Sequence, residues 1–163
     1  DVLFTGVGTT QPTGLAALTY NTTNSVTSAA KVLTYENLVG ALGKLASNFR
    51  QNAVWIMNST TFYTYIATIK DLQSRPLFMN DMNAAPVMKL LGKEVVIDDF
   101  CQDNTIYLGD CQFYFLNISS PITVEMSREA GFTKGTIAYR SMCVVDGKPI
   151  PSGAFVKVAI PQA

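Results

Sequence analysis

Apolar positions along the chain change their spacing three times, and each spacing predicts a different element. Residues 1–33 are dense in Gly, Thr, Ser and Asn and are punctuated by Gly6, Gly8, Pro12 and Gly14, which is turn and loop chemistry around short strands. Within it, Val2-Leu3-Phe4 reads as an extended apolar segment. After Thr34 the spacing becomes helical. Leu38, Leu42, Leu45 and Phe49, helped by Ala41 and Ala46, fall on one face, Thr34 stands as the N-cap, and Glu36 lies in the first turn, where negative charge suits the helix dipole. Gly40 and Gly43 weaken this helix, so close packing against a neighbour is the reason expected for them.

Ala53-Val54-Trp55-Ile56-Met57 is a continuous apolar run with β-branched and aromatic members, ending at Asn58-Ser59-Thr60. This predicts a buried strand followed by a helix N-cap, with a helix over 61–70 whose inner face is Phe62, Ile66 and Ile69. Residues 71–83 read as a loop. From Val87 onward strands are predicted at 90–92, 93–97, 105–108, 113–116 and 122–126, separated by Asp98-Asp99, Gly109-Asp110 and Ser120-Pro121. Two longer candidates, 135–145 and 153–160, are joined by Asp146-Gly147-Lys148-Pro149, and Asp-Gly between β-rich runs signals a hairpin. The predicted class is α+β: two helices packed on a mixed or antiparallel sheet, with a β-rich extension. Trp55 is expected to be buried between the helices and the sheet.

Composition narrows the chemistry. The chain has 163 residues, 48% hydrophobic and 15% charged, which suits one domain, or one domain and part of a neighbour. Lys plus Arg and Asp plus Glu both number 12, so there is no basic field to hold nucleic acid through its phosphates. No run approaches the roughly 18 to 20 apolar residues of a membrane span, and the chain reads as soluble without a signal peptide. Its start at Asp1, inside an apolar segment, is what a truncated or processed product would show. Cys101, Cys111 and Cys143 lack C-x-x-C spacing and read as reduced thiols. Sequon-like triplets begin at Asn21, Asn58 and Asn117, in a chain generally rich in Asn, Ser and Thr.

No catalytic, cofactor-binding or metal site is predicted. Histidine is absent, which removes the commonest general base, the usual partner of a nucleophilic Ser or Cys, and the commonest metal ligand. Gly6-Val7-Gly8-Thr9-Thr10-Gln11 lacks the third glycine of a dinucleotide loop and the Lys-Ser or Lys-Thr of a P-loop. Asp98, Asp99, Asp103 and Asp110 could form a cation or acid/base site, but their setting in turns favours solvated loop residues. Tyr107, Phe113, Tyr114 and Phe115 could stack bases, but without nearby positive charge they read as packing residues; Lys44, Arg50, Lys70 and Arg75 form no run. Asp110, Glu125 and Glu129 should be replaceable by alanine with no turnover lost.

Several stretches, in order, resemble the major capsid proteins of tailed phages of the Hong Kong 97 type. They are Phe4-Thr5-Gly6-Val7-Gly8-Thr9-Thr10-Gln11-Pro12-Thr13-Gly14-Leu15, Asn52-Ala53-Val54-Trp55-Ile56-Met57-Asn58, Ile69-Lys70-Asp71 with Arg75-Pro76-Leu77-Phe78, and Leu90-Leu91-Gly92-Lys93-Glu94-Val95. Gly109-Asp110, Ser127-Arg128-Glu129, Tyr139-Arg140, Asp146-Gly147 and Ala154-Phe155 complete the series. The resemblance implies a structural, non-enzymatic shell subunit that self-assembles into pentamers and hexamers of an icosahedral virion or prophage capsid, made in the bacterial host cytoplasm. It implies an axial domain at 16–126, a remnant of the peripheral domain at 1–15 and a return to it at 127–163, with the spine helix, extended loop and N-terminal arm preceding Asp1. Scaffold, protease and portal proteins are implied partners, along with packaged DNA held without sequence-specific binding, and no membrane. The family's self-crosslink is not expected, because Gly135 stands where the asparagine would be and Met142 near the glutamate. The alternatives are an encapsulin-type compartment shell, disfavoured by the Gln11-Pro12 turn, and a small ligand-binding domain.

Overall fold

The computed structural model describes residues 2–29, 31–70 and 89–162. Helices α1 (Val2–Thr5), α2 (Tyr35–Lys44), α3 (Ser47–Arg50) and α4 (Ser59–Thr61), the last running into a π-helical turn at Phe62–Ile66, alternate with eight strands. These are β1 (Ser25–Thr27), β2 (Val54–Met57), β3 (Lys89–Leu90), β4 (Lys93–Ile97), β5 (Thr105–Gly109), β6 (Tyr114–Ser127), β7 (Ala138–Pro149) and β8 (Phe155–Ala159). Six of them form one sheet in the order β1-β8-β5-β2-β4-β3. The β1–β8 and β2–β4 pairs are parallel and the rest antiparallel, so the sheet is mixed, as the α+β class requires.

Strand alternation sends side chains to two separate cores. Trp55, Met57, Ile106, Leu108, Val156 and Val158 face α2 and the helical turn after β2, where they meet Leu38, Ala41, Leu45, Phe62 and Ile66. Ile56, Tyr107 and Phe155, the alternate residues, face Phe4, Leu15, Cys101 and Ala154. Every residue of β5 is buried, because helices cover one face and the chain's first residues cover the other. Trp55 is completely buried and its Nε1–H donates to the Leu90 carbonyl at 3.0 Å.

The helix starts at the expected cap: the Asn37 N–H donates to Thr34 Oγ1. It ends earlier than its apolar spacing suggests. Leu45 and Ala46 turn extended, Leu45 stays buried, and Arg50 in α3 donates to the Leu45 carbonyl at 2.7 Å, which satisfies a carbonyl freed by the break. The expected close packing at Gly40 and Gly43 is not found; both are exposed, and no neighbour stands within 4 Å of where a Cβ would be. Gly40→Ala and Gly43→Ala should therefore each stabilise the chain by about 0.8–1 kcal/mol. Urea denaturation of each variant checks this, and a loss of stability would mean that something covers that face.

Other expectations need correction. Val2-Leu3-Phe4 is helical, not extended. The second helix spans α4 and the π turn, closing by Ala67, and Thr68 Oγ1 bonds back to the Thr64 carbonyl at 2.7 Å. The predicted strands at 113–116 and 122–126 are one strand, β6, with Ser120-Pro121 inside it. The 146–149 hairpin does not form: β7 runs straight through it, and β8 pairs with β5 and β1 instead. Gly147 serves close approach and not a turn, since a Cβ there would stand 2.9 Å from the Phe115 carbonyl oxygen and 3.1 Å from the Tyr114 ring. The whole of the loop read at 71–83, and the start of the segment from Val87, lie outside the described residues.

A division of the chain at 126/127 would fall at the end of β6 and part it from β7. It would also part β8 from its ladder partners β1 and β5.

Candidate assembly surface

The feature that stands apart from the body is the long antiparallel ribbon of β6 and β7. Its base is tied down: the Thr13 N–H donates to the Gly147 carbonyl at 2.7 Å, Tyr114 Oη–H to the Thr13 carbonyl at 3.1 Å, and the Ile150 N–H to the Phe113 carbonyl at 2.9 Å. Phe113 also packs edge-on against Phe49, with ring centres 4.7 Å apart. At the far end a tight turn over Phe132–Lys134 reverses the chain, with Gly135 at φ 64, in the left-handed region that glycine occupies freely.

Cross-strand pairing sorts the ribbon into two unlike faces. Residues paired across the ladder share a face, and the face alternates along each strand. Leu116 with Gly147, Ile118 with Val145, Val124 with Ser141 and Met126 with Tyr139 make one face, on which Cys143 also falls by the alternation of β7. Phe115 with Lys148, Asn117 with Asp146, Ser120 with Val144, Thr123 with Met142, Glu125 with Arg140 and Ser127 with Ala138 make the other, the more polar of the two although Phe115, Met142 and Val144 stand on it. The first face is apolar and open: Leu116 is 60% exposed, Val124 68% and Tyr139 68%. At the ribbon's base it deepens into an open hollow of about 520 Å³ lined by Leu3, Pro12, Tyr114, Leu116, Cys143 and Val145. The second face carries Arg140, whose Nε–H and Nη2–H both donate to Glu125 Oε2, at 3.1 and 2.7 Å, in a pair well exposed and so of little weight for stability. An apolar stripe of this length on a soluble surface marks a place that something else covers.

The candidates for chemistry are dispersed. Asp98 Oδ1 accepts from the Phe100 N–H, Asp99 Oδ1 from Ser59 Oγ–H, and buried Asp110 caps the 3-10 turn by accepting from the Gln112 N–H at 2.9 Å. The Asp103 carbonyl accepts from Thr105 Oγ1–H. Among the described residues no three Cys, Asp or Glu side chains are placed to share a metal ion. Tyr107 is in the core, Phe113 and Tyr114 are half-buried, and Phe115 is on the ribbon surface. Lys44 is spent on the Thr22 and Ser25 carbonyls and Arg50 on Leu45, while Arg75 lies outside the described residues. Gly6 to Gly14 folds back on itself, the Gly14 N–H meeting the Gly6 carbonyl at 2.8 Å. No helix among the described residues is long and apolar enough to cross a membrane.

Burial, and then the negative charge of Asp98, push the Cys101 thiol up to about 11. Burial raises the Tyr20 and Tyr107 hydroxyls in the same direction, followed for Tyr20 by the proximity of Tyr107 and then Cys101, and for Tyr107 by that of Cys101. A raised acid is more neutral, so Cys101 is a packing residue at neutral pH. Iodoacetamide at pH 8 should label exposed Cys143 and leave Cys101 unmodified until the chain unfolds, which peptide mass mapping reads directly. Equal labelling of both would show the second core to be open.

Solved structures that share this fold include a capsid, a phage and an encapsulin complex. Over 98% of the chain, it superposes on the capsid protein of a native GTA particle described with C5 symmetry, with a TM-score of 0.86, 21% identity and 59% of that chain covered. Against Gordonia phage Cozz the TM-score is 0.66 at 14% identity, covering 99% of this chain and 58% of that one. Against the SrpI encapsulin of Synechococcus elongatus PCC 7942 it is 0.65 at 12%, covering 99% and 60%. The chain thus spans about three-fifths of these proteins. No curated protein matches it. Residues 2–160 match the phage capsid family, and the chain belongs to that family, a class of structural capsid proteins and not of enzymes.

The sequence reading did not single out Leu116, Ile118, Val124, Met126, Tyr139 or Val145. Their signal is the alternation of apolar and polar residues at 116–118 and 122–126, which marks strands without saying what covers them.

Proposed function

We propose that the chain is part of a subunit of a phage or prophage shell, built by self-assembly into pentamers and hexamers around DNA. The observation that carries this is the open apolar face of the ribbon on a chain of the phage capsid family. In this reading the six-stranded sheet and its helices form the axial part of the subunit. The ribbon, with the residues at its base, forms the peripheral part and buries its apolar face against neighbouring chain. Equal numbers of acidic and basic residues, 12 each, fit a wall that encloses DNA by confinement and not by sequence-specific contact. Synthesis in the host cytoplasm, and association with scaffold, protease and portal proteins during maturation, complete the proposal.

Electron microscopy of the full-length gene product tests it. Closed icosahedral particles are expected, with nucleic acid inside those recovered from an infected or induced host. Particles filled with an enzyme would favour the compartment reading, and a purely monomeric full-length protein would refute both.

A further inference from the structure

The ribbon contains an irregularity whose position its two faces explain. From Ile118 to Thr123 β6 advances five residues, while its partner advances three, from Val145 to Met142. The register shifts twice in that interval, once on each side of Ser120. A single extra residue turns everything beyond it to the opposite face of a strand. Two extra residues turn it over and back. Val124 and Met126 therefore share a face with Leu116 and Ile118, and the apolar stripe survives the interruption. Pro121 sits within the second shift, where it has no N–H to give to a ladder and so keeps the extra residue there from being absorbed into regular pairing. The opposite strand accommodates this, with the Cys143 Sγ–H 3.4 Å from the Ser120 carbonyl.

We propose that the paired bulge at 119–122 is a bending element, which sets the curvature of the ribbon while preserving its apolar face, and through the ribbon sets the curvature of the shell. Each bulge bends its strand and adds local twist. The pair lies beyond the tethers to Thr13 and Phe113, so its bend is expressed in the direction of the outer half, from Thr123 through the Phe132 turn to Met142. The same residues that aim the outer half thus decide at what angle its apolar side chains meet a neighbour. This rests on the shell reading above.

The test uses the full-length protein, and its first arm is the unaltered shell, whose absence would overturn the shell reading before any variant is compared. Deleting Ser119 alone leaves one extra residue and should abolish shells, because Val124 and Met126 move to the polar face. Deleting Pro121 and Ile122 together removes both extra residues, keeps the face and straightens the ribbon. Inserting Ser-Thr between Met142 and Cys143 together with Pro121→Thr, which restores the missing N–H, reaches the same regular ladder from the opposite strand, should the deletion fail to fold. The last two variants should assemble into particles whose diameters by cryo-electron microscopy lie outside the wild-type distribution. Native Trp55 emission and an unchanged melting temperature certify the body in each case. Wild-type diameters from either regularised variant, or a loss of assembly in both as complete as in the single deletion, would overturn the proposal.

Discussion

Trp55→Ala lowers the stability of the chain by about 3–5 kcal/mol, as truncation of a core aromatic does. Trp55 is fully buried at the centre of the β4-β2-β5 layer, paired with Val95 on one side and Leu108 on the other. Its removal leaves a cavity among side chains of the sheet and α2, and the surrounding residues can close it only in part. It also strips the Leu90 carbonyl of the indole N–H, and an unmet buried acceptor costs roughly 1–3 kcal/mol. As Trp55 is the only tryptophan, the comparison is made by circular dichroism in urea. Trp55→Phe, which restores volume but not the donor, should recover most of the cavity cost and not the hydrogen bond. A loss below about 1 kcal/mol for the alanine variant would place the tryptophan outside the core.

Leu116→Lys combined with Val124→Lys abolishes shell formation by the full-length protein while leaving the fold of its body intact. Both side chains are largely exposed here, so the changes should move urea stability by no more than about 0.5 kcal/mol. In the proposed shell contact they are buried, and each apolar side chain removed from water contributes about 1.5–3 kcal/mol to it. Replacing it by an ammonium adds a desolvation penalty at every copy of the interface. Asn117→Lys with Thr123→Lys, on the polar face, is the matched control and should assemble normally. Assembly of the apolar-face variant at wild-type yield would remove the ribbon from the interface. The 163-residue chain alone should sediment at micromolar concentration as a monomer or a small, weak oligomer. An isolated contact must first offset several kcal/mol of lost translational and rotational freedom, a cost that linked contacts in a larger subunit share.

Local patterns disclosed the body of the fold and concealed the ribbon. Thr34 as a cap, the period of Leu38, Ala41 and Leu45, and the run through Trp55 are short-range signals, and each corresponds to an interaction within a few residues or within one sheet. The break at Leu45 is different, because it is stabilised by a side chain from α3 that helical periodicity does not register. Asp146-Gly147 misled because glycine answers two needs that look alike in sequence, a turn and a close approach, and here it is the second. Ser120-Pro121 misled for a related reason, since a bulge tolerates the residues a turn prefers. The apolar alternation of β6 was visible. Nothing in it says whether the cover comes from the same chain or another, and so the candidate surface emerged only once the ladder showed what lay opposite.

The ribbon's mounting has a mechanical consequence. β6 leaves the sheet from the end of β5, and β7 re-enters it at the start of β8, and these two strands are direct neighbours with Gly109 opposite Phe155. A pull on the tip therefore draws both strands the same way from the same end. It cannot open the ladder between them one bond at a time, as it would if the two neighbouring ends were drawn apart across the sheet. The load passes instead as shear to β2 and β1 on the outer flanks, where many bonds must yield together. A wall built from such arms would resist pressure from within by distributing it into the middle of each subunit's sheet.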